Sequence, residues 1–320
     1  MLTSELKYIP FKSYTTESGF ELQNFQLSYQ LFGPALKTAP VVLVNHALSG
    51  NSNVTGNDGW WKDLIGPNKP IDTNTYTVLA FNIPGNGYDG WLIDEYHQFL
   101  AKDMAKLFIA GLDTLEVSKL YGIIGGSLGG GIAWEMLGLR PEISDHMIPI
   151  ASDWKSTDWL IANCVIQEQF LLNSSNPVHD ARVHAMLCYR TPTSFKQRFQ
   201  RSMNEELSVF NVESWLQHHG KKLQERFQQK AYLMMNHLLK HIDVASKGSA
   251  KQILKKIKAH VHMVAIDTDL FFTAEENRDL YTALKRDLQI SYHEIKSIHG
   301  HDAFLIEYKQ LKDIVGPIFK

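Results

Sequence analysis

The sequence predicts an α/β protein, a mostly parallel, doubly wound sheet carrying a helical insertion. Three observations lead there. Short continuous apolar runs recur along the chain, amphipathic helical patterns lie between them, and the alternation stops between Trp154 and Lys247 before it resumes.

Each element has its own reason. Phe25, Leu27, Tyr29 and Leu31 alternate with Gln26, Ser28 and Gln30, the period of a half-buried strand at an antiparallel edge. Val41 to Val44 is apolar without alternation, as a strand covered on both faces requires. Tyr76 to Phe81, Leu120 to Ile124, Met147 to Ile150 and Val261 to Ile266 read the same way. Ala101 to Glu116 places Met104, Leu107, Phe108, Leu112 and Leu115 at helical spacing, and Asp302 to Lys320 does so with Leu305, Tyr308, Leu311 and Val315. The stretch between is rich in Gln, His, Met, Trp and Leu, and Gln217 to Ile242 reads as nearly continuous helix. The expected organisation is a core over residues 1–153, a helical lid over 154–247 and the rest of the core over 248–320. No internal repeat interrupts it.

Composition narrows the function. The chain has 320 residues, 44% apolar and 21% charged, with a net charge of −2, which gives no electrostatic reason for nucleic acid or an anionic membrane as partner. Cys164 and Cys188 make no disulfide framework and read as packed residues in a reducing compartment. Met1 to Tyr14 lacks the apolar stretch of a secretory leader, and no window approaches the roughly 18 apolar residues of a membrane helix. A cytoplasmic location is the default expectation.

The chemistry begins at Gly125-Gly126-Ser127-Leu128-Gly129. A strand pattern precedes this run, and a helix pattern follows at once and stops before Pro141. That is the nucleophile elbow of the α/β-hydrolase fold, where glycines allow a strained turn and the helix start offers N–H groups to an oxyanion. A second glycine pattern, Gly85, Gly87 and Gly90, has no helix opening on it and reads as a loop, not a nucleotide site. A serine nucleophile needs a base and an orienting acid, in the order Ser, acid, His. The acid should follow Val261 to Ile266, where Asp267 and Asp269 compete; Asp269 lies further into the loop and is preferred. The base should follow the last strand, Ile290 to Ile295, where His299 and His301 compete; Gly300 permits a sharp turn before His301, which is preferred. The oxyanion donors expected are the N–H groups of Leu128 and of Leu48, in the loop His46-Ala47-Leu48-Ser49-Gly50; His46 reads as support for that loop. No metal site is read: His299 and His301 lack partners at ligand spacing, and there is no H-E-x-x-H.

Several segments, in order along nearly the whole chain, resemble the homoserine O-acetyltransferase family. They include Asn45 to Gly50, Gly59-Trp60-Trp61, Ile71-Asp72-Thr73, Gly125 to Gly130, Ala181-Arg182, Leu187 to Arg190 and Gly300 to Leu305. The resemblance implies an α/β hydrolase with a helical lid that moves an acetyl, sometimes succinyl, group from coenzyme A to the homoserine hydroxyl in methionine biosynthesis. It implies Ser127, Asp269 and His301 as triad, Arg182 and Tyr189 at the substrate carboxylate, and Asp302 at its ammonium group. It further implies acetyl-CoA as co-substrate with no permanently bound cofactor, and a homodimer through the lid. Taken by themselves, Arg182 could form a lid salt bridge and Asp302 a helix N-cap. The family's usual Leu-Gly and Cys-x-Gly stretch after the second core strand is replaced here by Asn82 to Trp91. A triad alone serves an esterase or thioesterase equally, and the alternatives of a succinyl donor or another hydroxy amino acid stay open.

Overall fold

A computed structural model describes residues 5–246 and 248–320. Its centre is an eight-stranded sheet of β1 (Lys7–Thr15), β2 (Glu21–Phe32), β3 (Val41–Asn45), β4 (Thr77–Phe81), β5 (Leu120–Gly126), β6 (Ser144–Ile150), β7 (His260–Ile266) and β8 (Ile290–Ile295), in the order β1-β2-β4-β3-β5-β6-β7-β8. The strands β3 to β8 pair in parallel, while β2 runs antiparallel to both β1 and β4. The apolar runs are the central strands: every residue of β3 and of β4 is buried. The edge strand β1 escapes a sequence reading because it buries only Ile9 among nine residues. The alternating segment is therefore second from the edge.

Helices α1 (Ala101–Thr114) and α2 (Leu128–Leu139) follow β4 and β5, and α9 (Ala274–Leu284) and α10 (Tyr308–Val315) follow β7 and β8. Between β6 and β7 the chain forms α3 (Asp158–Asn173), α4 (Pro177–Tyr189), α5 (Pro192–Phe199), α6 (Asn211–Gln224), α7 (Gln229–Lys240) and the short α8 (Ala250–Leu254). The described helices of the insertion thus lie between β6 and β7 in the chain, while those two strands pair directly in the sheet. Lys247, where the expected lid ends, lies outside the described residues. The three Gly85, Gly87 and Gly90 are in a loop, all with positive φ. Among the described residues no helix is long and apolar enough to cross a membrane.

Two expected helices are shorter than their patterns. Gln217 to Ile242 breaks after Gln224, and Gln228 is extended at φ −87° and ψ 151°. No glycine or proline signals this. The break is tertiary in origin: Phe227 turns inward to 6% exposure, and Arg226 Nη1 donates to the Ser49 carbonyl at 2.8 Å. At the C-terminus, Asp302 to Lys320 splits into a 3-10 turn at Gly300–Leu305 and α10. The tighter turn buries both His301 and Phe304, which a continuous α-helix from Asp302 would place differently.

Candidate active site

Ser127 sits between β5 and α2 at φ 55° and ψ −125°, a conformation costly for any residue with a side chain, by about 1–3 kcal/mol. The surroundings enforce it. Its N–H donates to Ile150 at 2.9 Å and its carbonyl accepts from Gly130 at 3.0 Å. The flanking glycines are required by close approach. A Cβ on Gly125 would lie 2.5 Å from the Gly129 backbone, and one on Gly129 would lie 2.2 Å from the Asn45 carbonyl oxygen. Helix α2 is thereby packed directly on the end of β3. The Ser127 hydroxyl, 4% exposed, has no hydrogen-bond partner among the described residues.

The Asp269 carboxylate follows β7 and is fixed at three points. Oδ1 accepts the N–H groups of Phe271 at 2.7 Å and Phe272 at 2.9 Å. Oδ2 lies 2.7 Å from Nδ1 of His301, and neither side chain is more than 5% exposed. An Nδ1–H that donates to this carboxylate leaves Nε2 with a lone pair. The His301 ring is enclosed by Tyr189, Phe271, Phe272 and Phe304, at centroid distances of 5.2 to 5.7 Å. Gly300 precedes it at φ 64°. The competing residues point elsewhere: Asp267 accepts from the Ser297 N–H, and His299 Nδ1 lies 3.2 Å from Ser194 Oγ.

The loop after β3 carries Leu48, and α2 begins with Leu128. Neither backbone N–H has an acceptor among the described residues, so both are available as donors. His46 anchors that loop. Its Nδ1 lies 2.8 Å from the Ala47 carbonyl, while Nε2 accepts from the Ile83 N–H at 3.0 Å and meets Asn86 Nδ2 at 3.2 Å. It is fully buried, and burial holds its pKa down at about 4. A ring so enclosed, with both nitrogens engaged, supports the loop and reaches no substrate. The distinctive Asn82–Trp91 loop is tied down by the same set of contacts. Asn82 accepts from the Ser52 N–H at 2.8 Å and donates to Ser28 Oγ at 2.9 Å, which in turn donates to Asp89 at 2.6 Å.

The lid supplies charge. The Arg182 guanidinium lies 5.3 Å from the Tyr189 ring centroid and pairs with no carboxylate among the described residues, so the salt-bridge alternative is not what the chain adopts. Burial pushes the Tyr189 phenol well above its ordinary pKa. Burial, and then repulsion from Arg182, lowers the pKa of Arg226. Asp302 lies in the first turn of the 3-10 segment, not at its N-cap, and Oδ2 accepts from Arg190 Nε at 2.9 Å. Arg190 and Arg226 were not singled out from sequence as site residues. Their partners are 112 and 177 residues away, and no local pattern announces either contact. Cys164 and Cys188 are free thiols, the first buried.

A strained serine at a strand–helix elbow, a buried Asp–His pair after the last two parallel strands, β7 and β8, and two free amides define an enzyme of the α/β-hydrolase class. The profile of the α/β hydrolase fold family matches residues 40–165. A homoserine O-acetyltransferase of Methanococcus vannielii is 32% identical over 94% of this chain and 69% of its own length. The chain belongs to the homoserine O-acetyltransferase family. Among solved structures, esterase E22 superimposes with a TM-score of 0.88 at 19% identity, over 99% of this chain and 100% of the other. A homoserine O-acetyltransferase of Staphylococcus aureus gives 0.85 at 24% identity, over 99% and 96%. The fold is thus common to transferases and esterases.

Proposed function

We propose that this enzyme transfers an acetyl group from acetyl-CoA to the hydroxyl of L-homoserine, through an acyl-Ser127 intermediate. His301 Nε2 takes the Ser127 proton as Oγ attacks the thioester carbon. The N–H groups of Leu48 and Leu128 hold the oxyanion, an arrangement in which each donor is worth roughly 3–4 kcal/mol. The coenzyme A thiolate leaves with the proton from His301. The homoserine hydroxyl then enters, loses its proton to His301 and takes the acetyl group from Ser127, whose departing Oγ recovers that proton from His301. Asp269 keeps His301 in the tautomer that both half-reactions need.

One observation carries the acceptor class. Arg182, a guanidinium with no carboxylate partner among the described residues, lies over Tyr189, whose ring meets that of His301, and Asp302 follows His301 in the 3-10 turn with its carboxylate on Arg190. An α-amino acid offers the complementary pair of charges, and two such contacts orient its side-chain hydroxyl. The aromatic shell on His301 limits water, which favours transfer over hydrolysis. Trp159, Val165, Ile166 and Leu172 are exposed on α3, and we infer that the homodimer forms through this outer lid face.

The test is coenzyme A release from acetyl-CoA and from succinyl-CoA, each with and without L-homoserine. Release that needs homoserine and is fastest with acetyl-CoA is expected, and Ser127→Ala should abolish it. Equal release without the amino acid would replace the transferase with a thioesterase.

A further inference from the structure

Four histidines collect at the opposite end of the sheet from Ser127. His146 lies near the start of β6, His260 and His262 near the start of β7, and His293 on β8. The parallel register sets His146 beside His260, and the two-residue strand period keeps His262 on the same face. Ser127, Asp269 and His301 lie at or beyond the other ends of these strands. A seven-residue strand separates the two groups by about 20 Å.

The nitrogens converge. His146 Nδ1 lies 3.1 Å from His262 Nε2, and the His260 ring stacks on His262 with centroids 3.9 Å apart. One ring nitrogen from each of the three residues lies within 4.8 Å of the other two. Tetrahedral coordination at about 2.0–2.1 Å would separate the nitrogens by roughly 3.3 Å. The first pair already meets that spacing, and the third nitrogen lies within 4.8 Å of both. The remaining nitrogen of His262 is set for an outer contact: Nδ1 lies 3.0 Å from Ser291 Oγ, where it would donate once Nε2 bound an ion, which fixes ring orientation. The cluster offers imidazole and no carboxylate, a donor set that suits zinc, nickel or copper and not calcium or magnesium.

We propose that His146, His260 and His262 bind one divalent transition-metal ion of the zinc type, with water as fourth ligand. The ion would clamp β6 to β7 and take no part in acyl transfer. Because the folded chain holds the three rings together and the unfolded chain does not, ion binding stabilises the fold.

The experiment is calorimetric titration of the chelator-treated full chain with zinc chloride at pH 7.5, alongside cobalt chloride followed by visible absorption. Expected are one bound ion per chain at micromolar concentration or tighter, cobalt bands of tetrahedral intensity, and a raised thermal midpoint. His260→Gln, at a partly exposed position, should weaken binding at least about tenfold, as should His146→Ala, with each variant's fold checked by circular dichroism. The His218→Ala, His219→Ala double variant should bind like the parent. Absence of stoichiometric binding, or binding that survives His260→Gln and His146→Ala in folded protein, would overturn the proposal. Acyl transfer, measured in parallel, is unchanged by His260→Gln if the site is separate.

Discussion

The sheet side and the lid side of the site position their groups by different means. On the sheet side, backbone geometry does the work: Ser127 is held by main-chain hydrogen bonds to Ile150 and Gly130, and Asp269 by two backbone N–H groups. On the lid side, side chains hold one another, as in Arg182 on Tyr189 and Arg190 on Asp302. Main-chain frames tolerate little variation, whereas side-chain pairs can be exchanged within a constant framework. In the proposed reaction, the sheet side would therefore set whether acyl chemistry occurs, and the lid side which acceptor takes the acyl group.

The largest test of that contrast is Asp269→Asn. It keeps the shape but favours the wrong His301 tautomer, so kcat should fall by roughly 10⁴ with little change in KM. A change in acceptor KM alone would erase the distinction. Next is His46→Ala, which leaves the Ile83 N–H and the Asn86 amide without their acceptor and should cost about 2–3 kcal/mol at pH 7.5. Its pH dependence has a definite sign. The folded-state pKa of about 4 lies below the unfolded value, so the folded parent declines a proton that the unfolded chain accepts. The associated stability is present above about pH 6.5 and is lost as pH falls toward 4, by about 3 kcal/mol in all. The gap between parent and variant in urea midpoint should narrow over that range.

On the lid side, Arg182→Ala should lower kcat/KM for the amino acid by about 10–100-fold, the worth of one charged contact, while the rate of Ser127 acylation is kept. Pre-steady-state acylation and steady-state transfer separate the two. The smallest effect is on stability. Glu135 on α2 is buried; Oε2 has no hydrogen bond, and Lys102 Nζ stands 3.8 Å away. Burial raises its pKa to about 7, so ionisation costs stability above pH 7, and the cost disappears as pH falls from 7 toward the ordinary carboxylate range. Glu135→Gln should add about 1 kcal/mol at pH 8 and less at pH 5.5. Thermal midpoints at the two pH values check it.

The same contrast explains what could be read from the sequence. The apolar runs of β3 and β4 and the glycines around Ser127 are local signals, because backbone burial and close approach constrain the residues themselves. Asp269 and His301 could be narrowed to two candidates each by their place after strands, and only the carboxylate–imidazole contact separates them from Asp267 and His299. Strand β1 and the break after Gln224 were illegible because one faces solvent along most of its length and the other is imposed by distant contacts. The His146–His262 cluster joins residues 116 apart, so no spacing pattern reveals it.

The contact between Arg226 and Ser49 has a consequence for fidelity. It joins the corner between α6 and α7 to the residue beside Leu48. If that corner lifts, this bond is lost, and the loop that carries the Leu48 amide keeps only its inner anchor at His46. The raised corner, the state in which water enters most freely, would then also be the state with the least firmly held oxyanion donor of the proposed reaction. Wasteful hydrolysis would be slowed by the same movement that exposes the acyl group to it.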